Sequence, residues 1–512
     1  MSFQVDALEQ DALEVLSMVR SLKNSLAPIN RIPPEILSLL PDYSDEDDPD
    51  SDQVPITLTH VCHSWREIFT SRSSLWTDLD LTSIDKTRTF IQRSKSSPLD
   101  IYAGFQDDEA YLYLDDALSL VIPHIPRLRS LALYCGAIPE ALRNLCHAPL
   151  LEDLEIQLAS LNNHTLDIPL LNGDLPSLLS LTLGAKIIRL PQKKMSNLRE
   201  LSLSCDPGAL TMTQILDFLE SAPLLHIEIM GSIPSSCDAL PQRIVTLRHL
   251  ETLEITADRI HCIVKHLRIP VGASVKVWAK FRGEAFPLLE YLWGTSPNIK
   301  NISHTSAVNL SFGFNQRRAK LSGPSGSLCL SGHWENQVTP STTLDYRILR
   351  ALGPRILSTT ERLTISYYDL PDLANIEECL VFQTLRSMNN LQSLALSRGN
   401  DQPFIFALNP AKNSSEAVLC PSLKKLNLFR GPWRPTNDLA VVDMARGRAL
   451  RGARLSSVKI VTFGCTGTPV RETEMSELRE HVTQVKLMVE TINDGLLPSW
   501  EYLPDEAGDR WG

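Results

Sequence analysis

Histidine and cysteine are the first candidates for chemistry in this chain, since both bind metals and both serve as catalytic groups. They come together only as adjacent pairs, in Cys146-His147 and His261-Cys262. Neighbours on a strand point to opposite faces, so such a pair is a poor start for a metal site. The default expectation is a buried thiol beside a polar imidazole. We therefore predict no metal site.

Motifs of nucleotide and acyl-transfer chemistry fail too. The sequence has no Gly-rich phosphate loop ending in Lys-Ser/Thr and no His-Glu-x-x-His helix. The segment Gly323-Pro-Ser-Gly326 lacks the Gly-x-Ser-x-Gly spacing of a nucleophile elbow. A hydrolase hidden in the irregular middle of the chain would need converging titratable groups, and no motif indicates them. The prediction is a protein that is not an enzyme, without catalytic residues or cofactors.

Charge and targeting signals narrow the class of protein further. The net charge of −11 and the pI of about 5.6 argue against a large nucleic-acid surface. The first residues form no secretory signal, and no apolar run reaches the roughly 18 residues of a membrane span. The ten cysteines are scattered singly, which is typical of reduced thiols. We expect a cytoplasmic and/or nuclear protein that binds neither nucleic acid nor membrane.

The first 27 residues carry a heptad pattern. Apolar residues alternate at spacings of three and four, namely Val5, Leu8, Ala12, Val15, Val19, Leu22 and Leu26. This is the seam of a two-stranded helical packing. Pro28 ends the predicted helix. Three heptads are marginal for an independent coiled coil, so two alternatives stay open: self-association, or packing on the helices that follow.

Three ordered pieces follow between residues 28 and 80. They read Ile32-Pro33-Pro34-Glu35-Ile36-Leu37, Val61-Cys62-His63-Ser64-Trp65-Arg66 and Ser74-Leu75-Trp76. The prolines suit the first turn of a helix, where a missing N–H costs nothing, and the glutamate meets the positive helix end. The apolar residues exceed what one short helix can hide, which indicates either a partner or a small helical core of their own.

In order and character, these pieces resemble the F-box, a helical module that docks a protein onto the Skp-type adaptor of a cullin-RING ubiquitin ligase. The resemblance implies adaptor contacts by Ile32, Pro33, Pro34, Glu35, Ile36, Leu37, Val61, Trp65, Leu75 and Trp76. It departs from the family pattern at residues 41–52, an acidic insertion. Pro41 shortens the first helix, and the acidic run is expected to be a solvated loop.

Beyond Trp76 a second pattern recurs, Leu-x-x-Leu-x-Leu. Copies begin at Leu128, Leu151, Leu178, Leu198, Leu250, Leu391 and Leu423, with a weaker copy at Leu225. This spacing is the signature of a leucine-rich repeat, in which a short strand is followed by a returning segment. No single unit buries its apolar face, so the units must stack. The sequence predicts a solenoid of parallel strands.

Two stretches interrupt or close this pattern. From 271 to 345 the repeat fades, although Val308–Phe312 and Ser327–Leu330 retain strand character. Insertions in solenoids cluster at one face and often bind, so we expect the target protein there. Near the end, Met475, Leu478, Val482, Val485, Val489 and Ile492 recur at helical spacing before Gly495. The interpretation is a helix that caps the last repeat.

The complete prediction is an α/β protein. Its parts are a heptad helix (1–27), an F-box-like domain (28–80), a linker or first degenerate repeat (81–110), a repeat solenoid (111–470), a capping helix (471–495) and a tail (496–512). The resemblance implies the substrate receptor of a Skp-cullin-F-box ligase, with an unidentified target on the solenoid. The alternative is a non-enzymatic interaction scaffold with a vestigial F-box.

Overall fold

A computed structural model describes most of the chain. The described residues are 2–43, 53–104, 111–136, 139–144, 147–158, 165–166, 175–185, 187–188, 190, 194–205, 210–232, 243–258, 260–281, 304–312, 316–324, 326–334, 352–354, 356–367, 378–397, 401–411, 417–430, 438–463 and 472–490. They fall into two compact units, Met1–Leu224 and Leu225–Gly512. Most of the acidic insertion and the whole C-terminal tail lie outside the described residues.

The first unit begins with helices. These are α1 (Ser2–Leu26), α2 (Pro34–Leu37), α3 (Val54–Thr59), α4 (His63–Ser71), α5 (Ile84–Ser94), α6 (Tyr111–Val121) and α7 (Met212–Ser221). Short 3-10 turns cover Pro28–Arg31, Leu40–Tyr43, Ser73–Trp76, Ile122–Arg127 and Glu140–Asn144. Helix α2 ends at Leu37, before Pro41, so the first helix is even shorter than expected.

A parallel sheet forms the rest of the first unit. Its strands are β1 (Asp78–Asp80), β2 (Leu99–Ala103), β3 (Leu128–Cys135), β4 (Asp153–Leu158), β6 (Ser180–Ala185) and β8 (Glu200–Cys205). Each pairs in parallel with the next in that order. Two short strands, β5 (Thr165–Leu166) and β7 (Ile187–Ile188), pair separately. The segment 81–110, predicted as a linker or degenerate repeat, supplies helix α5 and strand β2.

Apolar ladders across the strands explain this sheet. Leu131, Leu154, Leu181 and Leu201 are in register on neighbouring strands and all are buried. Because side chains alternate along a strand, the Leu-x-Leu spacing puts both leucines on the covered face. A strand begins within every copy of the motif, so the strands lie where the motif predicts them. Each fully buried leucine contributes roughly 1.5–3 kcal/mol.

Polar side chains just before the motifs tie successive copies together. The Asn197 amide donates to the carbonyl oxygen of Pro176 at 2.6 Å, and the Ser177 hydroxyl donates to that of Pro149 at 2.7 Å. In the second unit the Asn390 amide donates to the carbonyl oxygen of Ser358 at 2.7 Å. These bonds satisfy backbone acceptors between strands, where the sheet ladder has not yet begun.

The second unit has a larger, mostly parallel sheet. Its strands are β9 (His226–Ser232), β11 (Thr252–Asp258), β13 (Ser274–Phe281), β14 (Ala307–Phe312), β15 (Gln316–Gly323), β16 (Gly326–Trp334), β17 (Arg362–Tyr367), β18 (Ser393–Ser397), β19 (Lys425–Arg430), β20 (Ser457–Phe463) and β21 (Gln484–Glu490). A separate parallel pair joins β10 (Val245–Thr246) to β12 (Leu267–Arg268).

The stretch where the repeat fades is part of this sheet. Strand β13 pairs in parallel with β16, and β14 pairs in parallel with β17. Between them β15 runs antiparallel to both β14 and β16. The retained strand character at Val308–Phe312 and Ser327–Leu330 is therefore confirmed. Gly323 ends β15 beside the His304 carbonyl oxygen, and a Cβ atom at this position would clash with that oxygen.

Helices alternate with the later strands of the second unit. They are α8 (His261–Val264), α9 (Glu378–Arg386), α10 (Gln402–Leu408), α11 (Asp438–Leu450) and α12 (Glu472–His481). The prediction of one capping helix over 471–495 is wrong for residues 484–490, and residues 491–495 lie outside the described part of the chain. Residues Gln484–Glu490 form strand β21, which pairs in parallel with β20. Val485, Leu487 and Val489 recur at every second position, and the edge of β20 supplies the hydrogen bonds that favour a strand.

Other expectations have mixed outcomes. Helix α1 is present, but packing on the helices that follow is wrong for residues 8–26, all of which are exposed. Cys62, Cys135, Cys329 and Cys420 are free thiols, whereas Cys262 is disulfide-bonded, so reduced cysteines were expected wrongly there. Among the described residues no helix is long and apolar enough to cross a membrane. The α/β class with a mostly parallel sheet and an N-terminal helix is confirmed.

Candidate functional site

The first candidate surface belongs to the helical module, defined here as residues 28–76. Leu37 of α2 and Trp65 and Phe69 of α4 form its core, and the two aromatic rings meet edge to face at 5.6 Å between centroids. Ile32, Leu58, Cys62, Ile68 and Leu75 pack partly buried against this core. The helices are too short to be stable alone, so this cluster holds them together.

Two polar contacts fix the module, and sequence analysis did not single out their partners. The Trp65 indole donates to the Asn30 side-chain oxygen at 2.6 Å. The Arg72 guanidinium donates to the Ser38 carbonyl oxygen, which links the end of α4 to the end of α2. A buried Trp usually finds a partner for its N–H group, and that was the one available signal.

Trp76 connects the module to the sheet region. It is fully buried, its indole donates to the Phe69 carbonyl oxygen at 3.0 Å, and its ring meets Phe90 of α5 at 5.0 Å. The Arg93 guanidinium lies over the same ring at 4.3 Å from the centroid. Loss of hydration lowers the pKa of Arg93, with a smaller contribution from the nearby Arg66 charge. The module is therefore built onto the start of the sheet.

The ten adaptor candidates divide into two groups. Exposed or half-buried are Ile32, Pro33, Pro34, Glu35, Ile36, Val61 and Leu75, while Leu37, Trp65 and Trp76 are buried in the chain's own core. Ile36 is 56% exposed and Val61 51%. Leu39 and Leu40, one turn after Ile36, are exposed as well. The module thus exposes apolar side chains at Ile36, Leu39, Leu40 and Val61.

The second candidate surface is the exposed face of the first unit's sheet. Register places Asp78, Asp100, Ser130, Asp153, Ser180 and Glu200 in one row, and Asp80, Tyr102, Ala132, Glu155, Thr182 and Ser202 in the next. Arg129 pairs with the Asp100 carboxylate, its Nε atom 2.9 Å from Oδ1. Tyr102 and Tyr134 contact each other with ring centroids 5.8 Å apart.

Burial and neighbouring carboxylates together raise pKa values on this face. Loss of hydration and the Asp100 carboxyl raise the pKa of Asp78, and loss of hydration with Glu152 and Glu200 raises that of Asp153. Loss of hydration and a hydrogen bond to Glu155 raise the pKa of Tyr134. The surface therefore carries negative potential that Arg129 offsets only in part.

The second unit has a row that corresponds to the row from Asp80 to Ser202, and its charge is different. It contains Glu228, Glu254, Lys276, Cys329, Lys320, Asn309, Thr364, Ala395, Asn427, Lys459 and Lys486 in sheet order. Lys276 pairs with Glu254 across neighbouring strands. The later strands carry lysine and neutral polar side chains in this row instead of carboxylates.

Three observations within the described residues concern metal binding and cysteine chemistry. No cluster of three or more His, Cys, Asp or Glu side chains could hold a metal there. Burial raises the pKa of the Cys135 and Cys420 thiols to about 12, so neither is a nucleophile at neutral pH. Of the two His-Cys pairs, Cys146 lies outside the described residues, and Cys262 is disulfide-bonded.

No family model matches this chain, and no curated protein matches it in sequence.

Proposed function

We propose that the chain is the substrate-recognition subunit of a Skp-cullin-F-box type ubiquitin ligase. One observation carries the proposal: a small helical module with exposed Ile36, Leu39, Leu40 and Val61 directly precedes a ladder of parallel strands. The F-box resemblance of residues 28–80 supplies the identity of the partner, the Skp-type adaptor and through it a cullin. The rest of the chain presents a target protein.

The body of the chain is proposed to be a leucine-rich-repeat solenoid. Support comes from the strands that follow one another in register and from the backbone hydrogen bonds that precede each strand pair. In the first unit the Leu179 amide donates to the Glu152 carbonyl oxygen at 2.8 Å, and the Arg199 amide to that of Leu179 at 2.7 Å. In the second unit the Lys424 amide donates to Gln392 and the Ser456 amide to Lys424 in the same way. Stacked repeats present extended faces of this kind to partners.

The proposed mechanism is proximity. A receptor that binds a target and an adaptor at once raises the effective concentration of the target beside the ubiquitin-charged enzyme. Other subunits perform the transfer, so this chain needs no catalytic residue. Target binding is assigned to the polar sheet faces and to the strands β14–β16 that interrupt the repeat.

The test is co-purification with a Skp-type adaptor. Wild type is expected to bind, and Ile36→Asp with Val61→Asp to weaken binding by roughly tenfold or more, as expected for loss of anchoring side chains. Leu439→Asp is the matched control, because Leu439 of α11 is also 56% exposed but lies outside the module. Circular dichroism verifies that each variant is folded. A well-folded wild type that ignores the adaptor would contradict the proposal.

A second function has its own supporting observation. Leu37, Trp65 and Trp76 are committed to internal packing, and Trp76 joins the module to α5. A module built in this way can act simply as the end cap of the sheet, in an interaction scaffold that does not engage a ligase. The same co-purification separates the two, since a scaffold binds no adaptor.

A further inference from the structure

Helix α1 exposes an apolar stripe that no described residue of the chain covers. All residues from 8 to 26 are exposed, among them Leu8 at 68%, Val19 at 58% and Leu22 at 66%. At the end of the helix, the Asn30 side chain donates to the Asn24 carbonyl oxygen at 2.7 Å. An apolar stripe of this length on a marginally stable helix indicates an interface.

The stripe is wider than the heptad seam alone. Leu16, 43% exposed, and Met18, 69% exposed, flank the seam residues Val15 and Val19 on opposite sides. In a two-stranded packing these flanking positions lie next to the partner helix, where charged residues are usual. Apolar residues there, at the middle of the helix, extend the surface that a partner must cover.

Charge along α1 selects the partner and its direction. Acidic side chains occupy the first half, with Glu9, Asp11 and Glu14, whereas the second half carries Arg20 and Lys23. A second copy in parallel would set acid beside acid and base beside base. An antiparallel second copy sets each acidic half beside a basic half.

The heptad positions then fix a register. Each heptad contributes two apolar seam positions. In an antiparallel pair, the first of these on one helix packs against the second on the other helix. Placing Leu8 against Leu26 of the second copy brings Val15 against Val19 of that copy. The same register sets Glu9 beside Lys23 of the second copy. Leu16 and Met18 then each lie near their own counterparts at the twofold axis.

We propose that α1 is the interface of a homodimer in which a second copy of the chain docks its own α1 antiparallel in this register. Charge complementarity, the apolar flanking residues and the heptad seam together identify a second copy of α1 as the partner helix. The proposal does not rest on the ligase function, and a chain that fails to bind an adaptor would still dimerise.

The oligomeric state of the full chain is the first test. Light scattering behind size-exclusion chromatography should give twice the 57.2 kDa chain mass. Val15→Glu with Val19→Glu is expected to give the single-chain mass. Leu13→Glu is the matched control, because Leu13 is also exposed, at 54%, but lies off the seam. A wild type that stays single-chain over a wide concentration range would overturn the proposal.

Charge reversal tests the register. Glu9→Lys alone and Lys23→Glu alone should each weaken dimerisation several-fold, and the double variant should restore it. Proximity is checked by a short bis-maleimide crosslinker with the wild-type chain as background. Leu16→Cys should crosslink to itself. Leu8→Cys should not, since the two copies of that position lie about 27 Å apart along the helix axis at 1.5 Å per residue. Self-crosslinking of Leu8→Cys would show a parallel pair and overturn the proposal.

Discussion

The exposed sheet faces of the two units differ, although their buried faces are built alike. In both units aliphatic side chains stand in register across the covered face, such as Leu154 and Leu181 in the first and Leu394 and Leu426 in the second. The exposed face carries a crowded set of carboxylates in the first unit and more lysine in the second. The buried scaffold is therefore repeated in both units, whereas the outer positions differ in charge between them.

The largest expected effect comes from breaking the shared scaffold. Leu181→Ala should lower the free energy of unfolding by about 2–5 kcal/mol, and Leu426→Ala should do the same in the second unit, because both side chains are fully buried. Thr182→Ala, on the outer face, is the control and should change it by less than about 0.5 kcal/mol. Denaturant titration followed by circular dichroism measures all three. Equal effects of Leu181→Ala and Thr182→Ala would contradict the assignment of the faces.

A smaller effect is expected from Arg129 on the acidic face. Arg129→Gln should cost up to about 1 kcal/mol, because Arg129 faces the Asp100 carboxylate and also the charges of Glu152 and Asp78. Lys276→Gln in the second unit should cost less, since among the described residues its ion pair is with Glu254. The difference should shrink at high salt, where exposed charges are screened. A larger cost for Lys276→Gln than for Arg129→Gln would contradict the stronger negative potential that we infer for the first unit.

The smallest effect is one of sign. The pKa of Asp78 is raised in the folded chain, so its stabilising contribution is complete below the unfolded value near 3.8 and is lost as pH rises through the folded pKa. Asp78→Asn should therefore raise the thermal midpoint at neutral pH, with the gain fading well below pH 3.8. Glu254→Gln in the second unit should lower it slightly, because Lys276 loses its partner. The idea fails if Asp78→Asn lowers the midpoint at neutral pH.

The strands were predictable where the signal is local and repeated. The alternating leucines within each Leu-x-x-Leu-x-Leu copy identify the buried face of that strand. The sequence therefore predicts these strands without knowledge of the other parts of the fold. Val482, Val485 and Val489 satisfy a helical spacing, whereas Val485, Leu487 and Val489 satisfy strand alternation. Pairing with the edge of β20 decides between helix and strand. That pairing depends on the tertiary structure and cannot be read from the local sequence.

The candidate site was predictable in composition and not in orientation. Apolar residues at helical spacing mark a face, but the face has an inside and an outside. Leu37 and Trp65 are inside, and the neighbouring Ile36 and Val61 are outside. The contact that settles Trp65 comes from Asn30, which lies 35 residues earlier and belongs to no motif.

The strand arrangement at β14–β16 has a consequence for the order of folding. Strands β15 and β16 are joined by two residues between Gly323 and Gly326, which face each other across the turn. Such a hairpin closes in about 1–10 μs, because little chain entropy is lost. The neighbouring parallel strand pairs form more slowly, because each requires a longer connection to close. The segment that interrupts the repeat is therefore the natural place for the second unit to begin folding.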